Sequence, residues 1–381
     1  MTTRTSFPPA VVATLLIWGL VATGGCKKSE DAAASGDNAT KDAGASADQG
    51  KAGSDSADAG TVDIGPSEAP NPQVCDAYAK VTQAGKLSNS KLDELSGLAA
   101  SRIHDDILWT HNDSGEKKPR IYAINSEGLH VATWLLKGVS PVDWEDIATG
   151  PCAGNGPLAK LSCVYVADVG DNSHKRDEVM IHRVSEPDEQ SSRKGDRERR
   201  EKFRKSATES FSFSYPKVPD AKDKDRKAEE HPDVEAMAVL PDARVILLTK
   251  RDDGRAKVFR VDLSKSPVEV VELGMLDLRD DKLKQGHSLR ATAADLDKTG
   301  RYLLVRSYFR IYVFDVGKAL MANPVTARAT LANAPRQSLT AGLDLQGEAI
   351  AWAADGGVWH TSEGNHQPLW KIPCAKPAAG K

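Results

Sequence analysis

A six-residue opening that returns five times limits how this chain can fold. It reads Glu94-Leu-Ser-Gly-Leu-Ala, Asp143-Trp-Glu-Asp-Ile-Ala, Asp233-Val-Glu-Ala-Met-Ala, Arg290-Ala-Thr-Ala-Ala-Asp and Gln346-Gly-Glu-Ala-Ile-Ala, at intervals of 49, 90, 57 and 56 residues. Each opening is followed by a β-rich run: ILWTH at 107–111, VYVAD at 164–168, VILLTK at 245–250, YLLVRS at 302–307 and VWHTS at 358–362. A third run follows at 120–124, 179–184, 258–261, 310–314 and 368–372. Short strands separated by turn residues at a recurring spacing read as small antiparallel sheets repeated around an axis. The expected fold is all-β, a single β-propeller of five blades. An immunoglobulin-like sandwich leaves five similar openings unexplained, and helical periodicity is weak throughout.

The last unit has three strand-like runs before the chain ends, so a segment near 76–90 is expected to supply its fourth and close the ring. The long interval holds a charged insertion at about 188–231. Within it, Phe211 to Tyr215 (FSFSY) reads as the fourth strand of the second blade, and the remainder as an inserted loop or short exposed helix. A sixth blade in this interval is the architectural alternative. The basic run Arg193 to Lys205 reads more simply as a solvated insertion than as an anion or partner contact.

The N-terminus has the pattern of an export signal, with Arg4 before an apolar stretch from Ala10 to Ala22. Thr23, Gly24, Gly25 and Cys26 resemble a bacterial lipoprotein cleavage box, with Thr23 where Leu is usual. That resemblance implies a signal peptide over 1–25 and lipidation of Cys26, which tethers the chain to a bacterial membrane, expected to be the outer one. Residues 26–72 are Ala, Gly, Ser and Asp with almost no aliphatic content, too little to offset ordering entropy, and read as a disordered tether. The propeller is expected over 73–376, with a tail at 377–381. Four other cysteines remain for an oxidising compartment. Cys152 and Cys163 flank a turn between two strand-like runs. Cys75 and Cys374 lie at the two ends of the domain, where a bridge joins the first strand to the last. Pairing Cys152–Cys163 and Cys75–Cys374 is one of three connectivities, inferred from position.

The third position of the openings holds Ser96, Glu145, Glu235, Thr292 and Glu348. In a propeller, equivalent positions on the innermost strands converge on the central channel. Three carboxylates held there repel one another unless protonated or neutralised. An oxygen-only donor set selects a hard cation, and Ca²⁺ accepts an irregular oxygen cage more readily than Mg²⁺. An axial Ca²⁺ is therefore expected. The simpler alternative pairs these glutamates with water or with a cation such as Arg290.

The order Ser, Glu, Glu, Thr, Glu over five blades resembles the calcium-activated nucleotidases, the soluble apyrase family. Those are five-bladed propellers with an axial calcium held by Ser and Glu in a comparable order. The run Leu108-Trp-Thr-His-Asn-Asp-Ser-Gly115 is similar to their first-blade segment, where paired Asp residues precede an Arg. Here the pair is Asn112-Asp113, and Ser114 stands in the place of the Arg. The strings WTHNDSG, DWEDIA and YVADVGDN also resemble a bacterial family of exported propeller lipoproteins without a clear assigned activity.

The loops after the second strands gather acids and bases. Metal-assisted hydrolysis needs a cation, a base and charge stabilisation. Asp113 or Asp168 is the candidate base, with Arg251 and Arg306 as anion contacts. NDSG and VGDN read equally as turns, since Asp and Asn bond their own backbone. No G-x-S-x-G, H-E-x-x-H, P-loop or G-x-G-x-x-G occurs. The net charge of −3 offers no global case for nucleic-acid binding. Two functions remain: a tethered module binding a polar or anionic small ligand or a surface protein, and a calcium-dependent phosphoester hydrolase. The loss of that Arg from the apyrase-like motif favours the first.

Overall fold

A computed structural model describes residues 74–113, 118–189, 204–218, 223–279, 289–342 and 346–375. The signal, the tether with Cys26, the tail and most of the basic run lie outside these residues.

The chain enters at β1 (Thr82–Lys86) and continues into a first blade, β2 (Leu95–Ala100), β3 (Ile107–Asn112), β4 (Arg120–Asn125) and β5 (His130–Lys137). The second blade starts with β6 (Trp144–Pro151), β7 (Ser162–Asp168) and β8 (Val179–Ser185). The insertion contributes β9 (Arg204–Ala207), then β10 (Glu209–Phe213), the fourth strand of the second blade, and α1 (Asp223–Glu230). The third blade is β11 (Val234–Val239), β12 (Val245–Thr249), β13 (Arg255–Asp262) and β14 (Glu269–Asp277). The fourth is β15 (Ala291–Leu296), β16 (Tyr302–Ser307) and β17 (Arg310–Asp315), then α2 (Pro324–Leu331) and β18 (Arg336–Thr340). The last is β19 (Gly347–Trp352), β20 (Val358–Ser362) and β21 (Pro368–Ile372), completed by β1 against β21.

Among the described residues these strands form five sheets, one per blade, and the innermost strands β2, β6, β11, β15 and β19 each neighbour the next around a ring. Among the described residues the insertion adds no sixth blade. Its β9 instead pairs in parallel with the outer strand of the first blade, Trp134 opposite Arg204 through Lys137 opposite Ala207. The sequence offered no sign of this, because RKSA is short, charged and pairs with a strand far away in the chain.

There is no single core. Five apolar clusters fill the five spaces between neighbouring blades. Trp109, Ile121, Ile147 and Val166 lie between the first and second blades, and Leu98, Tyr122, Ala351 and Leu369 between the fifth and first. Each sheet is covered on both faces, which is why strands such as VILLT are continuously apolar rather than alternating. A ring built this way must close, since an open end would expose a whole apolar face. Closure is made by β1, by the pairing of Tyr78 with Cys374, and by the disulfide Cys75–Cys374 with Cα atoms 5.4 Å apart. The disulfide Cys152–Cys163 staples the β6–β7 hairpin, its Cα atoms 5.0 Å apart.

Candidate metal centre and adjoining cavity

Every innermost strand carries a register irregularity at its opening. In four blades the extra, unpaired residue is Glu145, Glu235, Thr292 or Glu348. In the first blade Ser96 keeps its partner His111, and the extra residue is Gly97. A bulge bends its strand and re-aims the side chain at that position. Gly97 has φ +77°, and a Cβ there would press on the Asp146 carboxyl and the Ile147 nitrogen.

All five ring positions are buried. The two hydroxyls bind the next blade: Ser96 Oγ donates to the Glu145 carbonyl, and Thr292 Oγ1 donates to the Gly347 carbonyl at 2.7 Å. Their oxygen lone pairs remain, so these bonds leave them able to ligate a cation. The glutamates feel one another. Burial pushes Glu145 well above the carboxylate range, with Glu235, Asp113, Asp143 and Asp233 adding to it. Burial likewise raises Glu235, against the pull of Lys250, whose ammonium pairs with Glu235 Oε1. Glu348 is pushed up to about 7, again chiefly by burial.

Two overlapping groups bring carboxylate oxygens within 4.8 Å of one another: Asp113, Asp143 and Glu145, and Glu145, Asp233 and Glu235. Glu145 belongs to both. Its Oε1 is buried, with no hydrogen-bond partner among the described residues, and the residue is 2% exposed. Gly170 makes room for it, since a Cβ on Gly170 would overlap Glu145 Oε1. Asp143 and Asp233 escaped the sequence reading, although both occupy the first position of the openings, two residues before the glutamates that were singled out.

Asp146 was also missed, and it is fully buried near the axis. Its Oδ1 accepts from its neighbour Ile147 N (2.8 Å), and its Oδ2 accepts from Met237 N (2.7 Å) and Ala294 N (3.0 Å), joining the second, third and fourth blades. Burial pushes its carboxyl up strongly, while these three N–H groups pull the other way.

The four residues proposed for catalysis sit in different surroundings. Asp113 directly follows β3 and belongs to the acidic group. Asp168 is buried and engaged by Arg176 (2.8 Å) and by the N–H groups of Val142 (3.0 Å) and Asp143 (3.1 Å). Burial would raise its pKa, but His182, Arg176 and those N–H groups hold it below the usual range. Arg306 is fully buried in β16, its guanidinium lying where a side chain on Gly347 would be, which explains the glycine in the fifth opening. Arg251 lies on the surface of a cavity. In the VGDN run, Asp171 accepts from the backbone of Lys175 and Arg176, the turn chemistry expected of it.

That cavity, about 460 Å³, has Asn172, His174, Asp233, Lys250, Arg251 and Arg290 in its wall. It borders the acidic group through Asp233 and Lys250. Its volume is that of a small-molecule site. Arg251 is held by Glu229 of α1 (3.0 Å) and Asp253 (3.2 Å), Arg290 by Asp252 (2.5 Å), and Lys257 by Glu229 and Glu272.

The chain matches no family model and no curated protein. Among solved structures it is similar to the PQQ-bound aldose sugar dehydrogenase of Streptomyces coelicolor, at 13% identity and TM-score 0.42 over 78% of this chain and 99% of that one. The Malassezia sympodialis allergen Mala s 1 is also 13% identical, with TM-score 0.46 over 75% and 95%. The apo-form soluble aldose sugar dehydrogenase of Escherichia coli is 10% identical, with TM-score 0.38 over 78% and 99%. Likenesses this distant say nothing of what this chain binds.

Proposed function

We propose that this propeller holds a calcium ion on its axial carboxylates and binds a polar or anionic small ligand in the adjoining cavity, as an exported module tethered to the membrane through Cys26. The observation that carries the metal is Glu145, whose Oε1 is buried without a hydrogen-bond partner among the described residues and whose carboxylate lies within 4.8 Å of carboxylate oxygens on both sides. A buried acceptor in that state is costly, and one surrounded by further acids is costlier. A divalent cation removes both costs. The donors are oxygens only, which suits a hard cation, and they come from several blades in an irregular array, which suits Ca²⁺ over Mg²⁺. Asp113, Asp143, Glu145, Asp233 and Glu235 are the residues that would hold it, with Ser96, Thr292 and Glu348 completing the ring.

The ion's part is charge neutralisation and a fixed positive edge to the cavity. The cavity wall orients the ligand with Asn172, His174 and the cations around them. Binding is favoured over hydrolysis because Asp168 is consumed by Arg176 and backbone N–H groups, and Arg306 is enclosed in its strand. The test is calorimetric titration of the full chain with CaCl₂ and MgCl₂, beside Glu145→Gln. Calcium uptake that the variant lacks supports the reading; no heat from either cation with folded wild type refutes it.

A further inference from the structure

Lys250 stands between the acidic group and the cavity. Its backbone N–H is fixed to the Asp233 carbonyl at 2.9 Å, just past the end of β12. Its ammonium pairs with Glu235 Oε1, its side chain is only 11% exposed, and it forms part of the cavity wall. The Tyr308 hydroxyl faces the same ammonium, and Glu348 lies near it. Glu235 is thus claimed twice, by Lys250 and by the cation proposed above.

We propose that Lys250 is an exchangeable counter-ion, and that its release by calcium turns the cavity into a binding subsite for a small oxyanion. The inference rests on the calcium reading. With Glu235 turned to a divalent ion, the ammonium keeps the Tyr308 hydroxyl but loses its paired carboxylate while still largely buried. A buried charge without a partner is costly, so it recruits an anion. Lys250 can make the change because its charge rides on a flexible four-carbon stem with rotatable donors. The other cations of the wall have no such reason to move: Arg251, Lys257 and Arg290 keep acids that are not part of the metal group. Lys250 is therefore the group through which the two sites communicate. An oxyanion with oxygens pointing in more than one direction meets the ammonium on one side and the ion's edge on the other.

Coupling of this kind is reciprocal: whatever factor calcium adds to oxyanion affinity, the oxyanion adds to calcium affinity. The experiment titrates the full chain and Lys250→Met by calorimetry. Calcium is measured first without anion, then inorganic phosphate and, separately, acetate are measured with calcium and with chelator. Phosphate is kept below the solubility limit of its calcium salt. In wild type, at least one anion is expected to bind about tenfold tighter with calcium. Lys250→Met is expected to bind calcium more tightly than wild type, because the competitor is gone, and to lose the calcium effect on the anion. If wild type binds calcium but neither anion responds to it, the exchange is wrong and the metal site stands. The exchange is equally wrong if Lys250→Met keeps the coupling, since the anion then sits on the ion alone. If neither protein binds calcium, the metal reading itself has failed. If Lys250→Met does not fold, Lys250→Gln takes its place, and wild type without coupling overturns the exchange by itself.

Discussion

Replacing Asp146 with Ala should weaken the ring more than most single changes near the axis. Its carboxylate is fully buried and is the acceptor for three backbone N–H groups, on Ile147, Met237 and Ala294, at 2.7–3.0 Å. Two of these donors belong to other blades. An orphaned buried donor costs about 1–3 kcal/mol. The Ile147 bond is local and contributes least, so the two cross-blade donors set the expected loss, about 2–6 kcal/mol. Against a total stability of about 5–15 kcal/mol, that is a large share. Asp146→Asn keeps the shape and one acceptor oxygen but turns an amide donor toward an N–H, and should lose about half as much. Urea denaturation of the full chain in chelator measures this without a contribution from bound cation. An Ala variant within about 1 kcal/mol of wild type would show that water or repacking satisfies those donors, and that Asp146 does not join the blades.

Three further outcomes are expected. Asp295 is half-buried, accepts from Leu296 N and Trp352 N, and desolvation pushes it from 3.8 up to about 7. The fold holds this proton where the unfolded chain has lost it, so stability should fall as pH rises from about 4 to about 7, on the order of 4 kcal/mol at most, and Asp295→Asn should flatten that slope in denaturation curves at pH 5 and 8. Gly170→Ala should lower calcium affinity more than about tenfold while the far-ultraviolet spectrum is unchanged, because the new methyl displaces Glu145; unchanged affinity would remove Gly170 from the site. Cys75→Ser/Cys374→Ser should cost more stability than Cys152→Ser/Cys163→Ser, about 6 against about 3 kcal/mol, since the bridges span 299 and 11 residues; equal losses in urea would contradict the closure argument.

Much of this fold was legible because a propeller repeats one short signal. Five openings and two following runs located the three inner strands of each blade, and the shortfall in the last unit pointed to the N-terminal segment now seen as β1. Both bridges followed from where the cysteines stand relative to the ring. What the repeat could not reveal is what breaks it. The bulges are backbone events with no side-chain signature except Gly97. Asp146 occupies a position filled by Gly97, Ala236, Ala293 and Ala349 in the other openings, so alignment makes it an exception rather than a central acceptor. Asp143 and Asp233 were visible in the same alignment, but a ring drawn from one column left out the column two positions before it. The pairing of β9 joins residues 134–137 to 204–207 and depends on proximity that only the closed ring supplies.

The bulged position has one more consequence. A residue left out of the ladder has no partner across the strand, so its identity is not tied to the hydrogen bonds that hold the blade together. Glu145, Glu235, Thr292 and Glu348 can each change without breaking a ladder hydrogen bond of their own blade. The axis of this molecule is in that sense a set of interchangeable sockets. A lineage, or an experimenter, can alter the charge at the centre one blade at a time with the strand ladders left intact, and only the few side chains that meet each socket, such as Lys250 beside Glu235, need to follow.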